Sequence, residues 1–484
     1  MSLIIDDDMK TRELASDANV SPPTIDPSRR YATLTFLRGS VVALTIALST
    51  GVLGVLYYIP VVGEWMTKQG IQFTVLRPLH TTFAAVFIFL GGVAVVHRYF
   101  EDIAGPMGAG ERLRIRLQVI LWAIAGLGVF GSLLGGVFSG REYMGFHPIW
   151  SIPILLGWML FAWNFVLHLK SNFLRCPVHI SMWTVGVFFF MFTFTEQHYW
   201  LLETVYNDPI FDMRIQWKAT GTLVGSFNLF VYGSLYYLGC KLSGDESYAH
   251  SNLAYALFAV GLLNSFTNFG HHTYHLPQND AVKWISFVIS MTEIILLARV
   301  VWDISAMVKK RGPACAGAIE LFITAAKWWT CFMLASSIVI SIPPLNALIH
   351  GTPVIMGHGM GAEIGIDGMV LFATFCWLIK EMLIQRKTDS TIFETPRLRR
   401  LVIGLNIGVA LLVGWLTFAG TIIGVWRYDD LAPPLWLSNS NPYLMVFFGA
   451  IAAWYLANLL VTWLRLLFPG RRLQQDPGDH PAET

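Results

Sequence analysis

The sequence predicts an all-α integral membrane protein, a bundle of twelve transmembrane helices with N- and C-termini cytoplasmic. Three observations predict it: composition, the lengths of the apolar runs, and the placement of lysine and arginine. Of 484 residues, 55% are hydrophobic and only 13% charged, with 18 Trp and 33 Phe. A soluble chain carries roughly 25% charged residues, so half that charge with this aromatic content points to lipid as the solvent.

Crossing a ~30 Å hydrocarbon core takes about 20 residues. Apolar runs of that order occupy 37–60, 74–97, 117–138, 151–169, 179–205, 217–240, 251–272, 281–305, 317–345, 350–379, 401–426 and 442–464. Hydrocarbon offers no partner for a free backbone N–H or C=O, so each run reads as a helix. Residues 37–467 form one helical domain between a tail at 1–36 and a tail at 468–484. The first tail is acidic, then basic, with no apolar core, unlike a secretory signal. With the N-terminus inside, 24 of the 33 Lys and Arg fall in or beside cytoplasmic segments and 7 in or beside outer loops. Arg299 and Lys327 lie within spans. The five cysteines sit singly, without CxxC or CxxCH, which argues against a zinc ribbon, a disulfide framework and covalent haem c. A net charge of +2 with no basic, aromatic-interleaved patch argues against nucleic acid.

This topology puts five histidines on one level. His80 opens the second span in "VLRPLHTTFAAVF" and His198 ends the fifth in "FTEQHYWLLE". His271 and His272 end the seventh in "NFGHHTYHLPQ", and His358 lies two turns into the tenth in "IHGTPVIMGHGMGAEIGID". At 1.5 Å per residue all lie in the outer third of the bilayer. Intramembrane histidines are rare and mark function, and imidazole ligates haem iron, copper and non-haem iron. Neighbours on a helix point about 100° apart, so His271 and His272 share a metal only where the helix end is distorted. Gly270 and Pro277 permit that distortion. His275 is expected outside the ligand set, and His97, His147, His179 and His250 read as packing or helix-end residues.

On these residues the sequence resembles the catalytic subunit (subunit I) of the haem-copper oxidase superfamily over essentially all twelve spans. The resemblance implies a low-spin haem on His80, a high-spin haem on His358, and a copper or non-haem iron on His271 and His272. "GREYMGF" at 140–146, "HGT" at 350–352 and Glu293, 21 residues after His272, are similar to the nitric oxide reductase branch. That similarity implies two b-type haems, reduction of nitric oxide to nitrous oxide, proton delivery by Glu293 and a calcium ion near Glu142.

Two positions depart from the family pattern. Where the family carries His-x-His, the tenth span has His358-Gly359-Met360; methionine is a competent axial ligand, so Met360 is expected opposite His80. The sixth span, "QWKATGTLVGSFNLFVYG", lacks the family's third metal-binding histidine. His198 is the first choice for that ligand and Asn228 the alternative, with Glu196 and Glu203 as possible carboxylates. No His-Pro-Glu-x-Tyr pattern of the oxygen reductases is present, but Tyr199 and Tyr274 keep oxygen reduction by a cytochrome c or quinol oxidase as an alternative. Nitric oxide dismutation is a further one. A histidine-lined transporter is the alternative of another class, for which Lys327 and Asn264 would be the intramembrane polar groups. The crowding of polar groups at one level, not at broken midplane helices, argues against it. The expected electron donor is a cytochrome c, a copper protein or quinol, through a separate subunit, in a bacterial inner membrane.

Overall fold

The computed structural model describes residues 26–141, 143–169, 176–267, 270, 273–274, 277–310 and 317–469. The long helices are α1 (Pro27–Leu56), α2 (Phe73–Ile103), α3 (Ala109–Leu134), α4 (Ser151–His168), α5 (Val178–Glu196) and α6 (Pro209–Ser243). They continue with α7 (Asn252–Thr267), α8 (Asp280–Lys310), α9 (Ala318–Ser341), α10 (Pro353–Gln385), α11 (Pro396–Tyr428) and α12 (Leu435–Leu467). Short helices Pro60–Lys68 and Pro343–Ile349 lie in the connections. Among the described residues there is no strand, only a lone bridge between Phe138 and Phe146 in the α3–α4 loop.

Among the described residues ten helices are long and apolar enough to span a bilayer. The two others have different reasons for falling short. In α6 nearly every side chain from Ala219 to Cys240 is buried in protein, so its Gly, Ser, Thr and Tyr never meet lipid and its hydropathy need not be high. Phe230 anchors this central helix. A Cβ at Gly92 would stand 2.8 Å from its side chain and one at Gly186 3.1 Å, so α2 and α5 close on α6 only because those residues are glycine. Helix α7 is apolar but only 16 described residues long, and the predicted seventh span runs on through 268–272, largely outside the described residues.

The first helix starts at Pro27, ten residues before the apolar run. Asp26 caps it, accepting from Ser28 N at 2.9 Å and from Met107 N at 2.6 Å, which ties it to the α2–α3 loop. The added turns are polar because they carry half of a charged layer at this end of the bundle. Arg29 grips Glu111 through two bonds of 2.8 and 3.0 Å, and Glu111 also accepts from His168 at 2.7 Å. Arg30 faces Glu101 at 3.1 Å. Arg98 bridges Glu381 at 2.7 Å and Asp102 at 2.5 Å, and Asp102 also takes Lys241 and the Tyr237 hydroxyl, each at 2.6 Å. These links join α1, α2, α3, α4, α6 and α10.

Two substitutions test this end of the fold. Arg98→Ala removes the cation that Glu381 and Asp102 share, leaving Asp102 to Lys241 and Glu381 to Arg30 at 3.6 Å, and is expected to cost about 3 kcal/mol, read as a lower unfolding temperature in detergent. Asp26→Ala removes a cap worth about 1 kcal/mol. The two N–H donors hold the Asp26 carboxyl below the usual carboxylate range. Its contribution is therefore complete above the unfolded-state pKa of about 3.9 and fades as pH falls through the lower folded value.

Candidate functional site

His80, half-buried on α2, donates from Nδ1 to the Ala47 carbonyl of α1 at 2.8 Å. No hydrogen bond among the described residues engages its Nε2. This is how ligating histidines are commonly held, with one nitrogen fixed on a carbonyl and the other presented. Gly51, one turn from Ala47, makes room for the ring, since a Cβ there would lie 2.7 Å from Nδ1.

His358 sits on α10, whose first turn is capped by Thr352. Its Nδ1 is buried and without a partner. His97 Nε2 and His179 Nδ1 are buried without a hydrogen-bond partner as well, each among packed aromatic rings. Met360, two residues on, packs against Leu412, Leu416 and Met445, the same small cluster that Val55 of α1 touches. Met360 and Val55 of α1 thus pack on one cluster of α11 and α12 side chains.

After Met360 the helix widens into a π-helical stretch, Gly361–Gly368. The α9 side chains press into it at its glycines. A Cβ at Gly361 would meet Met333 Sδ at 2.3 Å, and one at Gly365 would meet the Trp329 ring at 2.4 Å. Such widened turns concentrate at functional sites. This one carries two carboxyls, Glu363 and the buried Asp367. Tyr143, in the "GREYMGF" loop, donates its hydroxyl to Glu363 Oε1 at 3.0 Å, while its carbonyl accepts from Thr82, two residues past His80, at 3.0 Å. Tyr143 has φ of +58°, a left-handed backbone that a non-glycine residue seldom adopts. Asp367 lies within electrostatic reach of both Glu363 and Glu293.

Glu293 is buried on α8. Asn264 of α7 donates its amide to Glu293 Oε2, and Ser290 orients that amide by donating to Asn264 Oδ1 at 2.7 Å. The other oxygen, Oε1, lies over Gly261, where a Cβ would stand 3.2 Å away. Sequence reading singled out Glu293 but passed over Glu363, Asp367 and Tyr143. The signal for the first two was there, as carboxyls four residues apart in an apolar run.

His198 is placed differently from its expectation. Its Nε2 meets Ser151 Oγ at 2.6 Å and its Nδ1 donates to the Phe194 carbonyl at 2.7 Å. Both nitrogens are taken, so this arrangement offers a metal no lone pair. Glu196 is occupied too, by Lys218 Nζ at 2.5 Å, and Glu203 lies exposed on a short surface helix. Asn228, half-buried on α6, makes no side-chain hydrogen bond among the described residues. Tyr232, buried, stands four residues later on the same helix and in electrostatic reach of Glu293 and Asp367. His271, His272, His275 and Glu142 lie outside the described residues. Among the described residues no three or more His, Cys, Asp or Glu side chains gather as a metal site.

Three further histidines serve packing or capping. His97 stacks on Phe36 at 4.8 Å, His179 lies among Tyr99, Trp183 and Tyr237, and His147 caps a turn through Ile149 N. Lys327 places its ammonium over the Trp302 and Trp328 rings at 4.5 and 4.9 Å.

Residues 31–470 match the family model described as Cytochrome C and Quinol oxidase polypeptide I. No curated protein matches the sequence. A cryo-EM structure of a heme-copper terminal oxidase dimer is similar in fold, with a TM-score of 0.68 and 13% identity over 93% of this chain and 85% of that one. The chain belongs to the Cytochrome C and Quinol oxidase polypeptide I family, membrane oxidoreductases that bind haems and a metal centre. The residues present fit such groups: His80 presents a free Nε2, His358 has an orphaned nitrogen, and the glycine at 51 keeps the first ring in place.

A matched glycine pair tests the His80 cradle. Gly51→Ala should displace the ring and lower or shift the low-spin haem band, whereas Gly54→Ala, whose Cβ would meet Phe73 at an ordinary 3.8 Å, should not. Difference spectra and haem content per protein give the readout, and equal spectra for both variants would remove His80 from the ligand set.

Proposed function

We propose that this chain reduces nitric oxide to nitrous oxide, two molecules with two electrons and two protons giving one nitrous oxide and one water. The observation that carries this reading is the series of intramembrane carboxyls, Glu363, Asp367 and Glu293, that starts beside the His80 and His358 level and ends at Glu293 on α8. Hydrocarbon makes isolated carboxyls expensive, so a series of them is kept for ion or proton movement. Glu293, standing 21 residues after His272, is also what separates the reductase-like pattern from the oxygen-reductase one.

When bound, the haem on His358, a second metal on His271 and His272 with Asn228 as further donor, and a low-spin haem on His80 and Met360 supply electrons and hold the diatomic substrate. The rest falls to the chain's own groups. Tyr143 fixes one oxygen of Glu363 and orients it below the outer loop. Asn264 pins one oxygen of Glu293, leaving the other, over Gly261, to take up and release a proton. Gly261, Asn264 and Ser290 thus set the position of the proton carrier without carrying protons themselves. A cytochrome c, copper protein or quinol, acting through a separate subunit in a bacterial inner membrane, supplies the electrons in this reading.

A second reading, oxygen reduction, draws on Asn228 and Tyr232. Their spacing of four equals that between histidine and tyrosine in the His-Pro-Glu-x-Tyr pattern, with asparagine where the histidine stands.

Anaerobic nitric oxide consumption with nitrous oxide detection, beside oxygen uptake, tests both. Glu293→Gln should lower nitric oxide turnover by about 100-fold or more, the range for a lost proton carrier, with haem content unchanged, and Glu293→Asp should restore part of it. Nitric oxide turnover in Tyr232→Phe should equal that of the parent. Oxygen uptake by the parent that Tyr232→Phe abolishes, with no nitrous oxide formed, would replace the first reading by the second. Iron and copper per haem give an independent check: a third iron fits the first reading and a copper the second.

A further inference from the structure

We propose that the groove between the start of α11 and the end of α12 binds the phosphate headgroup of an anionic phospholipid. The groove encloses about 230 Å³. Its polar wall is Arg397, Arg465 and Thr395, and its apolar wall is Leu401, Val461 and Leu466. It lies at the end of the bundle that the lysine and arginine distribution assigns to the cytoplasm, where headgroups of the inner leaflet sit.

Charge is the first argument. The buried arginines at this end, Arg29, Arg30 and Arg98, each face a carboxylate, and Lys380 pairs with Glu394 at 2.8 Å. Arg397 and Arg465 have no acidic partner among the described residues, and both turn toward one concavity. Two guanidinium groups converging beside a threonine at bilayer depth are suited to a phosphodiester, which accepts their forked N–H donors. The first turn of α11 supplies Arg397 and Leu398, so the positive end of that helix dipole reinforces the same sign.

Shape separates a lipid from a free anion. Leaving the groove along α12, Val461, Trp454 and Phe447 recur every seven residues and are 45%, 68% and 58% exposed. Residues seven apart share a helix face, so these form one apolar strip about 20 Å long from the groove into the hydrocarbon. A soluble phosphate would use the arginines and ignore the strip, whereas an acyl chain covers it. Basic pockets between helices at this level are the usual form of anionic-lipid recognition.

The test uses the full-length protein purified in detergent and added dioleoylphosphatidylglycerol, with bound lipid counted by native mass spectrometry. The expected result is retention at least about tenfold above dioleoylphosphatidylcholine, as two arginines near a surface predict. R397Q/R465Q should erase the preference. V461W, which fills the apolar wall and keeps both charges, should also erase it. Because the comparison of the two lipids needs only the parent protein, failure of a variant to fold does not block the test. Equal retention of both lipids by the parent would overturn the proposal. So would an unchanged preference in R397Q/R465Q, or displacement of the lipid by inorganic phosphate with V461W behaving as the parent.

Discussion

Polar groups in this bundle have to find their partners inside the protein, because hydrocarbon offers none. Backbone groups meet the condition by forming helices. Side chains meet it at three levels: an ionic layer at one end, rings under Lys327 in the interior, and the Ser290–Asn264–Glu293 chain near the candidate site. Against this background an unpartnered nitrogen carries information. His358 Nδ1 is orphaned, and unlike His97 and His179, which are orphaned among aromatic rings, it sits at the level of His80. A buried imidazole nitrogen without a hydrogen-bond partner leaves the ring open to a ligand, and the family binds haems.

The same logic explains why glycine matters more than any single large residue. Helices in this bundle approach closely at glycines: Gly51 under His80, Gly92 and Gly186 around Phe230, Gly361 and Gly365 under Met333 and Trp329. In lipid the packing of helices gains little from the hydrophobic effect, so backbone proximity and van der Waals contact carry more of the association. The helix arrangement is thereby written partly into residues that have no side chain of their own.

The spans were legible because bilayer thickness fixes their length, and the family because its histidines fall at one depth on particular spans. What escaped the reading has physical causes. The start of α1 at Pro27 was hidden because its first turns are polar, satisfied by Glu111 and Glu101 some 70–80 residues away. Helix α6 reads weakly as a span for the opposite reason, being enclosed by protein. His198 resembled a ligand by depth alone; sequence cannot say that Ser151 stands against its Nε2. The Tyr143–Glu363 contact joins residues 220 apart, beyond any local pattern. Tyr232, four residues after Asn228 on α6, carries no local signal, because its proximity to Glu293 and Asp367 is set by helices far apart in sequence.

The tenth helix shows how these constraints interlock. Residues two apart on a helix point about 160° from each other, so His358 and Met360 face nearly opposite sides of α10. That suits two haems flanking one helix, one per side, and does not suit two ligands to a single metal. Directly below, the helix must also turn Glu363 toward the outer loop and Asp367 toward α8. A regular helix advances residues four apart by only 400°, returning them almost to one face. The π-helical stretch from Gly361 to Gly368 changes that rotation, and its poorer hydrogen bonding is offset by the α9 side chains seated at Gly361 and Gly365. The distortion begins directly after Met360, so His358 and Met360 lie in regular helix while both carboxyls lie in the widened turns. Replacing either glycine by alanine would force α9 outward, since Met333 and Trp329 already fill the space that a Cβ would take.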